Sequence, residues 1–117
     1  MLPRLHRLTS PADFRRVIRS GRKIVRPRAI VHFLPPTTGA REATPARVGV
    51  TVSKAVGGSV TRHRAARIIR HSIAQELGSL PQGSFWVVRA LPAAGKVDAN
   101  RQLAEDIRSA VQEAIAE

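Results

Sequence analysis

Between Lys54 and His71 the chain carries seven side chains that can bind an anion: Lys54, Arg62, His63, Arg64, Arg67, Arg70 and His71. On a helical wheel from Val60 to Leu77, His63, Arg64, Arg67, Arg70 and His71 share one side. Ala65, Ile68, Ile69, Ser72 and Ile73 share the other, a stripe that calls for a sheet beneath it. Arg62 stands at the helix start, where its side chain is free of that register. Guanidinium forks match phosphate oxygens bidentately, which ammonium groups do not. No acid lies between Glu42 and Glu76. Like charges left unneutralised at helical spacing cost stability, so the expected compensating partner is a polyanion.

The same residue types argue against catalysis. A protein nuclease needs a metal-binding carboxylate pair or a histidine-based acid–base pair. Residues 1–75 hold only Asp13 and Glu42 as acids. His63 and His71 lie eight residues apart, about two helical turns, too distant to share a metal. GGSVTRHR lacks the lysine and the spacing of a phosphate-cradling GxxxxGK[ST] loop. No catalytic residue and no protein-held metal is therefore expected.

The elements that must position this comb surround it directly. Val48, Val50 and Val52 alternate with Arg47, Gly49, Thr51 and Ser53, a strand with one apolar face. Gly57-Gly58 breaks the strand, and Ser59 or Thr61 is expected to cap the helix. Upstream, Ser10-Pro11-Ala12-Asp13 opens a helix that runs to about Ser20 and stops at Gly21, with Phe14, Val17 and Ile18 on one face. Residues 22–34 read as one or two strands broken near Pro27. There Ala29, Val31 and Phe33 point one way, and Ile30, His32 and Leu34 the other. Residues 1–9 form a basic arm, and residues 35–46 and 78–83 read as loops, the first expected to be mobile. Ser84 to Leu91 is a strand poor in polar residues, hence central, with Trp86 in the core. Asp98 or Asn100 caps a last helix whose Leu103, Ile107, Ala110, Val111, Ala114 and Ile115 keep helical spacing, with Glu105, Asp106 and Glu113 facing solvent.

Composition sets the frame. The 117 residues suffice for one domain spanning 1–117, and 43% hydrophobic content supports a folded one. Net charge is +12, unevenly placed: residues 1–75 hold 16 cationic side chains against two acids, residues 76–117 four against six. The binding surface must lie in the first two-thirds. The absence of cysteine excludes a disulfide scaffold and a thiolate zinc site and suits a reducing cytoplasm. No apolar run is long enough to span a bilayer, and MLPRLHRLTSP lacks the apolar region of a secretory signal.

The stretch SKAVGGSVTRHRAARIIR resembles the signature of the bacterial ribonuclease P protein component, usually SKKVGxAVxRNRxKRxxR. The match covers Ser53, Lys54, Val56, Gly57, Val60, Arg62, Arg64, Arg67 and Arg70, and departs at Ala55, Ser59, His63 and Ala66, usually Lys, Ala, Asn and Lys. The resemblance implies a two-layer α/β (α+β) sandwich of order αβββαβα. Its mixed four-stranded sheet would be ribosomal-protein-S5-like, with a left-handed βαβ crossover around the basic helix. It implies a subunit of the endonuclease that removes the 5′ leader of precursor tRNA in the cytoplasm. Catalysis would belong to a partner RNA with bound Mg²⁺. Lys54, Arg62, His63, Arg64, Arg67, Arg70 and His71 would then meet that RNA, while Phe14, Arg15, Ile18, Ile30 and His32 would line a cleft for the leader. The family often carries Tyr where His32 stands and an aromatic where Ile18 stands. No membrane or small-molecule substrate is expected.

Two other classes share the charge. A structural ribosomal or general tRNA-binding protein would not need the ordered SK–VG–R-x-R–R–R signature. A cationic membrane-active protein would need bulky apolar anchors, against an aromatic content of 3%.

Overall fold

The first helix begins where the sequence caps it. In the computed structural model, which describes residues 2–36, 44–96 and 98–116, the Ser10 hydroxyl accepts the Asp13 N–H at 3.3 Å. Pro11 takes the first helical position, and α1 spans Pro11–Ser20. Strands β1 (Arg22–Val25) and β2 (Ala29–Leu34) follow on either side of Pro27. Then come β3 (Arg47–Val52), α2 (Ser59–Glu76), β4 (Phe85–Ala90) and α3 (Asn100–Ile115). The expected helix and strand order holds. Residues 37–43 of the expected mobile loop lie outside the described residues.

The sheet order is β1-β2-β4-β3. β1–β2 and β2–β4 pair antiparallel, and β3–β4 pair parallel. The apolar β4 is central, as its composition requires. Ala29, Val31, Phe33, Val48, Trp86, Val88 and Ala90 face α2 and α3, where they bury against Ala65, Ile69, Ile73, Leu103, Ile107, Ala110 and Val111. Trp86 is fully buried. Its ring stacks on Phe33 at 4.3 Å between centroids, and its indole N–H donates to Ser84 Oγ at 2.8 Å. The opposite sheet face holds a smaller cluster, Leu8, Val17, Phe85 and Val87, under α1.

Three local expectations are corrected. Neither Ser59 nor Thr61 caps α2; Gly58 is its N-cap and no side chain bonds there. The approach is a 3₁₀ turn, Lys54–Val56, then Gly57 at φ 153°, where a Cβ would come within 2.9 Å of Thr61. The turn geometry, rather than a hydroxyl, starts the helix. Likewise Ala99 caps α3 without a side-chain bond, and Asp98 takes a left-handed turn at φ 70°.

The third correction concerns the acids of α3, which do not simply face solvent. Glu113 pairs with Arg26 at 2.8 Å and Arg22 at 3.5 Å. The hydrogen bond from Arg26 holds its carboxyl below the usual range. Asp106 accepts from the Arg28 backbone N–H at 3.1 Å and from its guanidinium at 3.3 Å. These acids sew α3 to the β1–β2 hairpin.

The N-terminal arm is packed down. Leu2 and Leu8 are buried, and a His6 ring nitrogen bonds the Ala46 carbonyl at 2.8 Å. The Leu8 N–H donates to Val48 O at 2.9 Å. The arm is tied to the outer edge of β3.

Asp106→Ala leaves the half-buried Arg28 amide without its acceptor, so we expect a loss of about 1–3 kcal/mol. Urea denaturation should show a lower midpoint at unchanged slope; an unmoved midpoint would mean the clasp adds nothing.

Candidate RNA interface

Two surfaces emerge, one built by α2 and one by α1 with the sheet. On α2, burial of Ala65, Ala66, Ile69, Ser72 and Ile73 fixes the rotation of the helix. His63, Arg67, Arg70 and His71 are then exposed, and Arg62 and Arg64 half-buried. Lys54 stands exposed on the 3₁₀ turn before it. Among the described residues no carboxylate pairs with any of these cations. The ion pairs are spent elsewhere, largely by α3 on the hairpin.

Arg64 differs from its neighbours. One terminal nitrogen donates to the carbonyls of Gly95 at 3.3 Å and Lys96 at 3.5 Å. The residue thus braces the connection from β4 to α3 as well as carrying charge. Gly95 lies so close to the Val56 carbonyl that a Cβ would collide with it. The turn before α2 is seated on that same connection.

The second surface follows from the register of the sheet. On the α1 side, Gly49, Val87, His32 and Lys23 form one row across the strands, and Thr51, Arg89 and Ile30 the next. α1 lies over the first row. Phe14 rests on Gly49, where any Cβ would strike the ring, and Arg16 leans over the Phe85 ring at 5.2 Å on the other side. Phe14 and Ile18, four residues apart, share the side of α1 away from Arg16. That side borders the second row, which α1 leaves open: Thr51 and Ile30 are half-buried, Arg89 is exposed, and the adjoining Val25 is 57% exposed. Ile18 is 40% exposed and Arg15 exposed. The result is a cleft with Phe14, Arg15 and Ile18 on its wall and Ile30 on its floor.

His32 is the exception among the expected cleft residues. It is 2% exposed, so it offers no ring face to a ligand and cannot serve as the stacking platform. Neither ring nitrogen has a hydrogen-bond partner. Burial, then the charges of Arg89 and Lys23, push its pKa down. It is a neutral wedge under the cleft.

Arg89 is the residue that sequence reasoning passed over. It supplies the only charge in the strand Phe85–Ala90 and alternates onto the α1 side. That alternation could have found it, had the neighbouring strands been known. A cavity of about 360 Å³ then connects the two surfaces round the edge of β3, lined by Arg7, Thr9, Phe14, Gly49, Val50 and Arg70 among others. That cavity places Phe14 of the cleft wall and Arg70 of the comb on one hollow. Among the described residues no three His, Asp or Glu side chains converge to hold a metal, and no helix is long and apolar enough to cross a membrane.

Comparison with known proteins decides the family. Residues 2–115 match the family model described as Ribonuclease P. The chain is 44% identical over 116 residues to the ribonuclease P protein component of Streptomyces bikiniensis, covering 96% of this chain and 94% of that one. The chain belongs to the ribonuclease P protein family.

The ribonuclease P protein component of Corynebacterium diphtheriae is 39% identical over 117 residues, covering 98% and 94%. The fold is also that of solved ribonuclease P proteins. The Staphylococcus aureus protein matches at TM-score 0.79 and 21% identity, over 93% of this chain and 94% of that one. The Thermotoga maritima protein matches at TM-score 0.72 and 20% identity, over 92% and 96%. As a ribonuclease P protein component, the chain serves tRNA processing, and both surfaces are to be read in that setting.

Two outcomes are expected of this ribonuclease P protein. Gly49→Ala drives a methyl group into Phe14, so the ring must leave its seat at about 1–3 kcal/mol; the thermal midpoint should fall. His32 titrates below its ordinary 6.5 in the folded state. Between that depressed value and 6.5 the unfolded chain binds more protons, so stability is full above 6.5 and declines as pH falls below it. Thermal midpoints of wild type and His32→Phe should diverge in their pH dependence below 6.5; parallel curves would rule out His32 as the source.

Proposed function

We propose that this protein holds two RNAs at once for the ribonuclease P reaction. The α2 face, through Lys54, Arg62, Arg64, Arg67 and Arg70 with His63 and His71, neutralises phosphates of the catalytic RNA. The cleft beside α1, through Phe14, Arg15, Ile18, Ile30 and Arg89, holds the single-stranded 5′ leader of precursor tRNA. The observation that carries this reading is the cavity that joins Phe14 to Arg70, beside a helix face whose cations have no carboxylate partner among the described residues.

The division of labour follows from the residues. A leader base can stack on Phe14 for about 1–3 kcal/mol, and Arg89 and Arg15 attract its phosphates. The α2 guanidinium groups reduce repulsion between RNA phosphates, which otherwise demands counter-ions. The cleavage chemistry belongs to the RNA subunit, with Mg²⁺ bound there; the described side chains offer no cluster suited to hold that ion. The expected compartment is the cytoplasm, where precursor tRNA is made.

The test is cleavage of a leader-bearing precursor tRNA by bacterial ribonuclease P RNA at low Mg²⁺, with and without the protein, beside protein alone. Activity only with both supports the proposal, and the Mg²⁺ midpoint should fall when protein is added. RNA binding without stimulation would point instead to a general tRNA-binding or ribosomal role. Cleavage by protein alone would overturn the assignment of chemistry to the RNA. Arg67→Ala should keep its fold, weaken assembly, and reduce the slope of log affinity against log salt by about 0.7–0.9, one phosphate contact.

A further inference from the structure

The outward face of α2 is not a flat row of charges. It contains a bowl of about 660 Å³ lined by His63, Arg67, Ile68, Arg70, His71 and Ser72 of α2, and by Ala104 of α3. The floor is apolar and small: half-buried Ile68, buried Ser72 and half-buried Ala104. The Ser72 hydroxyl donates to the Ile68 carbonyl at 2.8 Å and is thereby turned back on its own helix. The rim is made of flat polar groups, the Arg67 and Arg70 guanidinium groups and the His63 and His71 imidazoles. Gln75 lies 3.3 Å from the His71 ring nitrogen and fixes that ring. No carboxylate lines the bowl.

This combination selects its occupant. A peptide helix would need an apolar rim to seal against, and here the rim is cationic and imidazole. Phosphate alone would need no apolar floor. A planar apolar unit attached to phosphates satisfies both, and flat guanidinium and imidazole groups are surfaces on which unstacked bases lie. A base within a duplex is not available to such a bowl. We propose that the bowl receives one extruded, unpaired nucleobase of the catalytic RNA, its flanking phosphate held by Arg67. This rests on the reading of α2 as the face that meets that RNA, and adds a shape-selective contact to the charge-based one.

The test fills the bowl without touching its cations. Ala104→Trp is made in the full-length protein, and its affinity for bacterial ribonuclease P RNA is measured across a salt titration. The expected result is binding weaker by about tenfold at every salt concentration with the slope unchanged, because one stacked base and no phosphate contact is lost. Base-directed chemical probing should show one unpaired nucleotide protected by wild type and reactive with the variant. Wild-type affinity and an unchanged footprint would overturn the proposal, as would a change in slope. Circular dichroism and thermal melting check the fold, and Ala104→Leu serves as a smaller filler if the tryptophan disturbs the contact between α2 and α3. Failure of the wild-type protein to bind the RNA at all would overturn the α2 reading itself, a result distinct from either of these.

Discussion

Four guanidinium groups on one helix repel each other, and the fold keeps them together by burying the opposite side of that helix. The magnitudes decide the contest. A like-charge pair at helical spacing costs a few tenths of a kcal/mol. Burying Ile69 and Ile73, both fully inaccessible to solvent, contributes about 1.5–3 kcal/mol each. The apolar stripe wins, so the protein can present unneutralised charge without losing the helix. Most of the acids that could have quenched it are committed elsewhere. Asp106 and Glu113 of α3 clasp the β1–β2 hairpin, and Glu105, which shares a hollow with Ser72 and Glu76 of α2, pairs with Arg101 within its own helix. Repulsion is thus confined to the exposed face of α2.

The position of the cleft depends on a second contact, between Phe14 and the bare backbone of Gly49. It lets α1 lie close over one row of the sheet and leaves the next row open. With His32 sealed beneath the helix and an isoleucine at position 18, Phe14 is the one aromatic side chain among the cleft residues described. Arg15 and Arg89 flank it. In the proposed leader cleft, two guanidinium groups therefore stand beside a single ring.

What was legible in the sequence was what neighbouring residues decide. Ser10 and Pro11 start α1 where expected, the alternation of Val48, Val50 and Val52 faces the core, and the basic and apolar sides of α2 separate as the wheel places them. What was not legible depends on which elements become neighbours. Arg89 joins the cleft only because β4 lies between β2 and β3. His32 looks like a cleft residue by alternation and is lost to it because α1 crosses its row. Arg64 gains a bracing role from Gly95 and Lys96, about thirty positions away. The caps of α2 and α3 escaped notice because backbone turns at Gly57 and Asp98 do that work in place of side chains.

The central place of β4 also bears on how the molecule is made. β2 and β3 never touch; each pairs with β4, which begins at Phe85. Until that strand leaves the ribosome, the chain is a hairpin, an unpaired β3 and a basic helix with no floor beneath it. The carboxylates that clasp the hairpin come later still, on α3. The emerging polypeptide is therefore an open, strongly cationic chain for most of its synthesis. Its sheet closes in one late step, when a single strand joins the two halves, and any RNA nearby meets the charge before it meets the fold.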